Sequence, residues 1–383
     1  MSHFLMVGVG AHGHTNPHLG VVAELVERGH TVQWVIPAGF AGTVAETGAE
    51  PLVVGSVTPD ETAGGQWPED PVAGTALFLD ELEHVFPQVE HLRPDLVLYD
   101  IGGYAGHALA ERHGLPHVQL SPAMVAWEGF EEDLADELAF RREPAFQAYL
   151  ARFAAWLTAH DIGLTPDDFT GRPTHCLVEI PAVMQPFADK VDRGRYRFVG
   201  PALDRRGGEW PASEEPMVLV SLGSNYTKHP EFYRACAEAF APLGWRVVIA
   251  HGNHVTPEDI GPVPDGVELH RWVPQFAVLG RASAFVTHAG MGGCAEGLYQ
   301  GVPMIAVPQA VDQFGNAATL EGLGVARRLS TAATVEELRE ALRWSPTARS
   351  RSAELAAQVR AEGGARGAAD YVEDLLGTTP RKA

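Results

Sequence analysis

Short apolar runs alternate with amphipathic segments along nearly the whole chain. The apolar runs have the composition of buried β-strands and cover Phe4–Val9, Thr31–Ile36, Leu96–Tyr99, His117–Leu120, Met217–Leu222, Arg246–Ala250, Val267–His270, Ala284–Thr287 and Met304–Val307. Segments with helical spacing, such as His18–Arg28 and Pro230–Ala241, lie between them. This alternation predicts an α/β protein whose parallel sheets are joined by right-handed crossovers and carry helices on both faces.

One break in the pattern divides the chain into two halves. The stretch 204–216, DRRGGEWPASEEP, is rich in glycine, proline and charge, so we interpret it as a linker. A chain of 383 residues is also longer than one ordinary core requires. We therefore expect two doubly wound, Rossmann-like domains, residues 1–203 and 217–383, that face a ligand-binding cleft. The last helix, about residues 364–376, could pack back across the first domain.

The segment 287–316 combines a strand end, a glycine-rich turn and the start of a helix. His288 stands where the strand ends, and three glycines that permit a tight turn follow it: Gly290, Gly292 and Gly293. The helix that we predict over Cys294–Gln300 offers unpaired N–H groups and a partial positive charge at its N-terminus. The arrangement suits a diphosphate, and a purely structural turn is the alternative.

Polar and aromatic residues near this segment suit the other parts of a nucleotide sugar. Trp272 could stack on a base, or be an ordinary half-buried tryptophan. Glu296 could accept hydrogen bonds from ribose hydroxyls, or only complement the helix dipole. Asp312 and Gln313 follow another strand and suit sugar hydroxyls, or build a polar turn.

Two histidines follow the first strand, in the sequence VGVGAHGHTNPHLG. A neutral imidazole at His14, or at His12, could accept a proton from a hydroxyl, and Asp100 at another strand end is the best candidate to orient it. The alternative is a loop histidine that caps local backbone. A metal site is disfavoured because no third ligand is evident, and a dinucleotide site because the glycines are not in a G-x-G-x-x-G register.

Two groups of aromatic residues in the first half have different spacing. Phe146, Tyr149, Phe153 and Trp156 recur at helical intervals, which indicates core packing. Trp127 and Phe130 are less regular and could either line an apolar acceptor pocket or belong to the core. The stretch 56–75 lacks a period and is rich in proline, glycine and acidic residues, so we expect a loop beside the cleft.

The bulk composition narrows the choice of partners and compartment. A formal net charge of −21 argues against nucleic acid or an anionic membrane, since both would be repelled. No apolar run reaches the roughly 18 residues of a membrane-spanning helix, and the N-terminus does not read as a secretory signal. The three cysteines form neither a disulfide framework nor a zinc motif. We expect a cytoplasmic protein without a metal cofactor and leave its oligomeric state open.

Several motifs together resemble one known family. They are GHTNP at 13–17, SLGS at Ser221–Ser224, WVPQ at Trp272–Gln275, HAGMGGCAEG at His288–Gly297 and DQFGNA at Asp312–Ala317. The chain resembles, over nearly its full length, the family-one inverting glycosyltransferases of the GT-B fold. It is most similar to the bacterial macrolide glycosyltransferases, which glucosylate and inactivate macrolide antibiotics.

The resemblance implies a role for each candidate residue. His14 matches the general base and Asp100 the carboxylate that orients it. The donor-binding positions that match are Ser224, Trp272, Gln275, His288, Gly292, Gly293, Glu296, Asp312, Gln313 and Asn316. Cys294 departs from the serine that is common in the family, and a thiol is a poorer hydrogen-bond donor to phosphate than a hydroxyl.

The implied function is transfer of a sugar, with glucose the first choice, from UDP-α-glucose to a hydroxyl of a macrolide or similar natural product, with inversion. The UDP-sugar is a co-substrate, so no cofactor is expected. An alternative enzyme uses a dTDP-deoxysugar in antibiotic biosynthesis. A nucleotide-sugar epimerase and a non-catalytic sensor are further alternatives.

Overall fold

The computed structural model describes residues 1–203, 209–224, 227–310, 312–343 and 346–378. The chain divides into two compact units. The first unit comprises Met1–Ile180, Gln185–Ala202 and the chain from Gly363 onward, and the second comprises Pro181–Met184 and Leu203–Glu362. Of the linker predicted at 204–216, residues 204–208 lie outside the described residues, and 209–216 contain neither helix nor strand.

The first unit contains one parallel sheet. Its strands, within the described residues, are β1 (His3–Val7), β2 (Thr31–Ile36), β3 (Glu50–Val53), β4 (Leu96–Asp100), β5 (His117–Ser121), β6 (Cys176–Val178) and β7 (Tyr196–Phe198), in the spatial order β3-β2-β1-β4-β5-β6-β7. The strand order reverses beside β1, so β1 pairs with both β2 and β4. Ligands of doubly wound sheets bind at the carboxyl ends of the strands beside such a reversal.

Helices of the first unit cover both faces of its sheet. They are α1 (His12–Thr15), α2 (Leu19–Glu27), α3 (Ala41–Ala45), α4 (Pro71–Val89), α5 (Tyr104–His113), α6 (Phe130–Asp133), α7 (Pro144–Ala159) and α8 (Pro166–Gly171). Two apolar clusters, one on each face, bury the sheet. The aromatic series of α7 packs in one of them: Phe146, Tyr149 and Phe153 are buried and Trp156 is partly buried, as the helical spacing predicts.

The second unit contains a smaller parallel sheet. Among the residues described there, its strands are β8 (Met217–Ser221), β9 (Arg246–Ala250), β10 (Val267–His270), β11 (Ala284–Thr287), β12 (Met304–Ala306) and β13 (Ala326–Arg328), in the order β10-β9-β8-β11-β12-β13. Its helices are α9 (Pro230–Phe240), α10 (Pro257–Ile260), α11 (Gln275–Leu279), α12 (Met291–Gln300), α13 (Gln313–Gly322), α14 (Val335–Ala341) and α15 (Pro346–Arg360). The fold prediction of two Rossmann-like parallel-sheet domains is confirmed.

The last helix, α16 (Gly364–Thr378), belongs to the first unit. Its residues Ala365, Ala368 and Val372 share an apolar cluster with Val21 and Leu25 of α2. Arg28, which follows α2, forms ion pairs with Asp370 and Glu373 of α16. Within this unit α16 therefore packs with α2 on one face of the sheet, although it is far from α2 in sequence.

Two kinds of element differ from the sequence prediction. The strands β3, β6, β7 and β13 were not predicted, because they are only three or four residues long and, apart from β6, contain charged residues. The predicted helix 294–300 begins earlier, at Met291, so Gly292 and Gly293 are helical rather than part of the turn. A Cβ on Gly293 would lie 3.0 Å from Thr287 Oγ1, so a small residue lets this helix approach β11 closely. In the described part of the chain no helix is long and apolar enough to cross a membrane.

Candidate active site

His14 and Asp100 meet at the carboxyl ends of β1 and β4. The two strands are parallel neighbours, with Val7 opposite Tyr99, so the helix that follows β1 lies beside the last residue of β4. His14 Nδ1 is 2.9 and 3.0 Å from the two carboxylate oxygens of Asp100, and the Gly102 N–H donates to the same carboxylate at 2.7 Å. Asp100 is fully buried, whereas 26% of the His14 side chain is exposed. When Nδ1–H donates to Asp100, Nε2 carries the lone pair that can accept a proton.

A second histidine lies behind this pair, and the sequence analysis did not single it out. His18 Nε2 is 2.8 Å from Asp100 Oδ2, and its Nδ1 is 2.5 Å from Glu179 Oε2. His18 and both carboxylates are buried. A ring that donates from both nitrogens is an imidazolium. The one available signal in the sequence was the i, i+4 spacing of His14 and His18, which places both rings on one side of the first helical turns.

The charges of this buried network set the pKa values of its members. Burial disfavours a charged His18, but the charge of Glu179 and the hydrogen bonds to both carboxylates raise the pKa of His18 to about 10. Burial also opposes ionisation of Asp100, yet the two histidines hold its pKa well below the usual range. Burial and the positive charge of His18 lower the pKa of His14. The neighbouring Asp100 raises it by more, so the pKa of His14 lies above its ordinary value of 6.5. His14 is therefore a stronger base than a free imidazole.

His12, the alternative base, has a different environment. Its backbone N–H donates to Glu61 Oε2 at 2.8 Å, and its ring lies 5.1 Å from the ring of Phe40. His14, like the buried His18, hydrogen-bonds to Asp100 and is also partly exposed. The geometry favours His14 over His12 as the group that Asp100 orients.

An aromatic ring of α4 lies next to His14, while Trp127 and Phe130 pack elsewhere with other partners. Phe78 of α4 lies 6.5 Å from the His14 ring, centre to centre, and contacts Trp67 and Tyr104 at 5.6 and 5.7 Å. Trp127 and Phe130 form a separate cluster with Phe187, and the indole N–H of Trp127 donates to Asp133 at 2.8 Å. Phe78, with Trp67 and Tyr104 packed against it, therefore provides apolar surface beside the candidate base.

In the second unit, the loops after β8 and β11 lie side by side. These strands are parallel neighbours, with Ser221 opposite Thr287. Gly223 has φ +81°, and a Cβ there would lie 2.6 Å from the imidazole of His288. Ser224 follows in the same loop and is half-buried. Burial lowers the pKa of His288 to about 4, so its imidazole is neutral at physiological pH and can donate one hydrogen bond.

Helix α12 begins beside His288 without a capping side chain among the residues the structure describes. Its N-cap is Gly290, where a Cβ would lie 2.4 Å from His288 Nε2. The Cys294 amide donates to the Gly290 carbonyl at 3.0 Å, so this amide is used within the helix. The amides of residues 291–293 precede that first intrahelical bond and are the donors that a helix N-terminus offers to an anion. The Cys294 thiol is fully buried, and burial raises its pKa.

Three candidate donor-binding residues lie at or near the start of α11 or on α12: Trp272, Gln275 and Glu296. Gln275 Nε2 donates to Glu296 Oε2 at 2.8 Å, which fixes the buried carboxylate. The Trp272 side chain is 49% exposed, and its indole N–H donates to Asn253 Oδ1 at 3.3 Å. An exposed ring that is held at its edge presents a face on which a base can stack.

Asn316 joins the start of α13 to the loop after β11. Its Nδ2 donates to the Ala289 carbonyl at 3.0 Å and to Asp312 Oδ2 at 2.8 Å. Gln313 is buried, and its Oε1 accepts from the Gln309 and Ala310 amides at 2.9 and 3.1 Å. Asn316 thus links Asp312 to the turn that follows His288. Gln313 holds the loop that leads into α13.

Comparison with known proteins identifies the family to which this geometry belongs. The chain is 47% identical to the oleandomycin glycosyltransferase of Streptomyces antibioticus, over 98% of this chain and 91% of that protein. The chain is a family-one glycosyltransferase of the bacterial macrolide type. The family model "UDP-glucoronosyl and UDP-glucosyl transferase" matches residues 208–345 of this glycosyltransferase.

Further similarities agree with this assignment. The NDP-glycosyltransferase YjiC of Bacillus licheniformis is 33% identical to this glycosyltransferase, over 98% of each chain. The crystal structure of the glycotransferase of kitacinnamycin superposes with a TM-score of 0.89 at 40% identity, covering 98% of this chain and 99% of that one. The family assignment removes the epimerase and sensor alternatives and leaves the donor nucleotide, the sugar and the acceptor open.

Proposed function

We propose that this glycosyltransferase transfers glucose from UDP-α-glucose to a hydroxyl of a macrolide or similar natural product, with inversion at the anomeric carbon. The observation that carries the proposal is the His14–Asp100 pair, at 2.9 Å, with a partly exposed imidazole whose pKa lies above 6.5. A positioned base of this kind is what activation of a neutral hydroxyl requires.

On the acceptor side, His14 Nε2 accepts the proton of the acceptor hydroxyl as its oxygen attacks the anomeric carbon. The buried charge of Asp100 stabilises the imidazolium that forms, and it holds the ring in the tautomer with a free Nε2 lone pair. His18 and Glu179 keep Asp100 ionised and fixed in place. Trp67, Phe78 and Tyr104 offer apolar surface for the acceptor.

On the donor side, the diphosphate binds the amides at the start of α12 and the neutral imidazole of His288. These N–H donors are already positioned, so they stabilise the charge that develops on the leaving diphosphate. Trp272 stacks on the uracil ring, and Glu296 and Gln275 bind the ribose. The side chains of Asp312 and Gln313 contact the transferred sugar. Because these N–H groups balance the diphosphate charge without a metal ion, we expect activity to persist in the presence of a chelator.

The acceptor class is proposed from the relative. Oleandomycin glycosyltransferase is 47% identical to this chain over 98% of this chain and 91% of its own length, which supports a macrolide-type acceptor here. Attachment of a sugar to a macrolide hydroxyl would change the shape and polarity of an antibiotic, so a role in resistance follows from the same proposal.

A dTDP-deoxysugar donor is the second candidate, and one contact supports considering it. Glu296 Oε2 already accepts a hydrogen bond from Gln275. Glu296 therefore shares this oxygen with Gln275. This sharing weakens the preference of Glu296 for the ribose 2′-hydroxyl, which a deoxyribose lacks.

Mass spectrometry of a macrolide incubated with the enzyme and each donor tests the proposal. We expect a gain of one hexose with UDP-glucose and little or none with dTDP-sugars, and no gain with the His14→Gln variant. Faster transfer from dTDP-deoxysugars would move the assignment to the second candidate. No transfer of any sugar to any macrolide would contradict the proposed acceptor class.

A further inference from the structure

Three potential metal ligands converge at the end of the first unit's sheet opposite the candidate base. His107 and Glu111 lie one turn apart on α5, and His117 is the first residue of β5. The Nε2 atoms of His107 and His117 are each 3.5 Å from the same oxygen, Glu111 Oε1. The ligand atoms of all three residues lie within 4.8 Å of one another, the one such group found among the described residues.

The hydrogen bonds of His117 leave its ligand atom available. Its Nδ1 is 3.1 Å from the Leu115 carbonyl, an acceptor, so Nδ1 carries the proton and Nε2 carries a lone pair. His117 Nε2 is buried and makes no hydrogen bond within the part of the chain that the structure describes. A buried polar atom without a partner is unusual in a folded protein and points to an absent ligand.

The surroundings hold the rings in place and leave a route for entry. The His107 ring stacks on Tyr99 at 4.8 Å between ring centres, and it lies 4.3 Å from the ring of Phe169. Glu111 is 28% exposed, so the carboxylate side of the cluster reaches solvent. The His107 ring is thus held by packing and the His117 ring by its hydrogen bond to Leu115, and an ion could enter along Glu111.

We propose that His107, Glu111 and His117 bind one Zn²⁺ ion. Two imidazoles and one carboxylate form a donor set that Zn²⁺ takes in proteins, with a fourth position open to water. Tetrahedral ligands at about 2.0–2.2 Å from zinc are separated by roughly 3.3 Å, close to the 3.5 Å between each Nε2 and the carboxylate oxygen. The ion would tie the last turn of α5 to the start of β5 and so stabilise the first unit.

Zinc binding to untagged, chelator-stripped protein tests the proposal, because an affinity tag of histidines would bind zinc itself. Calorimetric titration should show one high-affinity Zn²⁺ per chain, and the thermal midpoint should rise when zinc is added. Mg²⁺, which prefers an all-oxygen site, should have neither effect.

Two variants and a matched control locate the site. Loss of a hydrogen-bond partner behind a metal ligand typically weakens metal binding roughly 10–100-fold. Glu111→Gln and His117→Gln each remove a ligand itself, so each should weaken zinc binding by more than that. His113→Gln is the control, since His113 lies on the same helix but contacts the Glu90 carbonyl instead. Glu111 is partly exposed, so its variant tests the site even if His117→Gln does not fold.

Two results would overturn the zinc proposal. One is the absence of a high-affinity Zn²⁺ in the folded wild type. The other is binding of unchanged affinity in both variants, which would assign the zinc to other histidines of the chain. Neither result bears on the proposed transferase reaction, because the candidate base and the proposed donor-binding residues lie outside this cluster.

Discussion

At the residue scale, the candidate base depends on a chain of four buried or partly buried groups, His14, Asp100, His18 and Glu179. Two carboxylates and two histidines alternate, and each imidazole nitrogen that faces a carboxylate donates to it. The arrangement keeps Asp100 ionised in a buried place where a lone carboxylate would take up a proton. Of the four ring nitrogens, His14 Nε2 is the one without a hydrogen bond to Asp100 or Glu179.

Removal of the base tests the assignment directly. His14→Ala should lower kcat by roughly 10²–10⁴-fold, the usual contribution of a general base, with donor binding little changed. Initial rates with saturating acceptor measure this loss. His12→Ala is the matched control and should stay near the wild-type rate; the reverse order of the two losses would assign the base to His12.

Removal of the positive charge behind Asp100 should shift the pH profile. His18 lowers the pKa of His14, whereas Asp100 and Glu61 raise it. His18→Gln should therefore move the acid limb of kcat/KM, which reports the free enzyme's base, to higher pH by on the order of one unit. The double variant with Glu179→Gln avoids an unpaired buried carboxylate and should show a smaller shift in the same direction. A shift to lower pH in both variants would contradict the proposed role of His18.

The same residue links stability to pH. Because the pKa of His18 rises from 6.5 to about 10 on folding, its stabilisation is fully present below pH 6.5 and is lost as the pH rises through about 10. Chemical denaturation between pH 6 and 11 measures the loss, which should be absent from the double variant His18→Gln with Glu179→Gln.

At the element scale, the proposed diphosphate site lies at the start of α12. The helix begins at the glycine that touches His288, so its first amides and the imidazole face the same place. Two glycines in the first turn have low helix propensity, which is why the sequence predicted a turn there and a later helix start. The close approach of Gly293 to Thr287 shows the packing that overrides this propensity.

A methyl group at the N-cap should disturb donor binding. In Gly290→Ala the new Cβ would lie 2.4 Å from His288 Nε2, so the ring must move, while the backbone angles at 290 suit alanine. We expect UDP binding to weaken about tenfold, or ~1.4 kcal/mol. Isothermal titration with UDP measures it. Gly322→Ala in α13, where a Cβ meets no atom within 4 Å, should bind UDP as the wild type does; equal affinities in both variants would remove His288 from the diphosphate site.

At the scale of the whole molecule, a strongly acidic chain must bind an anionic donor. The formal net charge of −21 repels UDP at long range, while the local N–H donors attract it at contact. Raising the ionic strength from about 0.01 to 0.15 M shortens the Debye length from roughly 30 to 8 Å and screens the long-range term most. The Kd of UDP should therefore fall, on the order of twofold, and the KM of an uncharged acceptor should stay constant. A Kd that rises with salt would show that local attraction dominates.

The sequence by itself determined the fold class and located the strand, the glycine-rich segment and the helix of 287–316, although α12 begins earlier than predicted. Buried parallel strands read as continuous apolar runs, and a strand, a glycine turn and a helix start form a local signal, so 287–316 was recognisable. Only the tertiary structure decided which distant residues meet. His18 contacts residues 82 and 161 positions away, because the strand order puts β4 beside β1 and Glu179 directly follows β6. No local pattern encodes such contacts, since they arise from the pairing of strands and the burial of charges against each other.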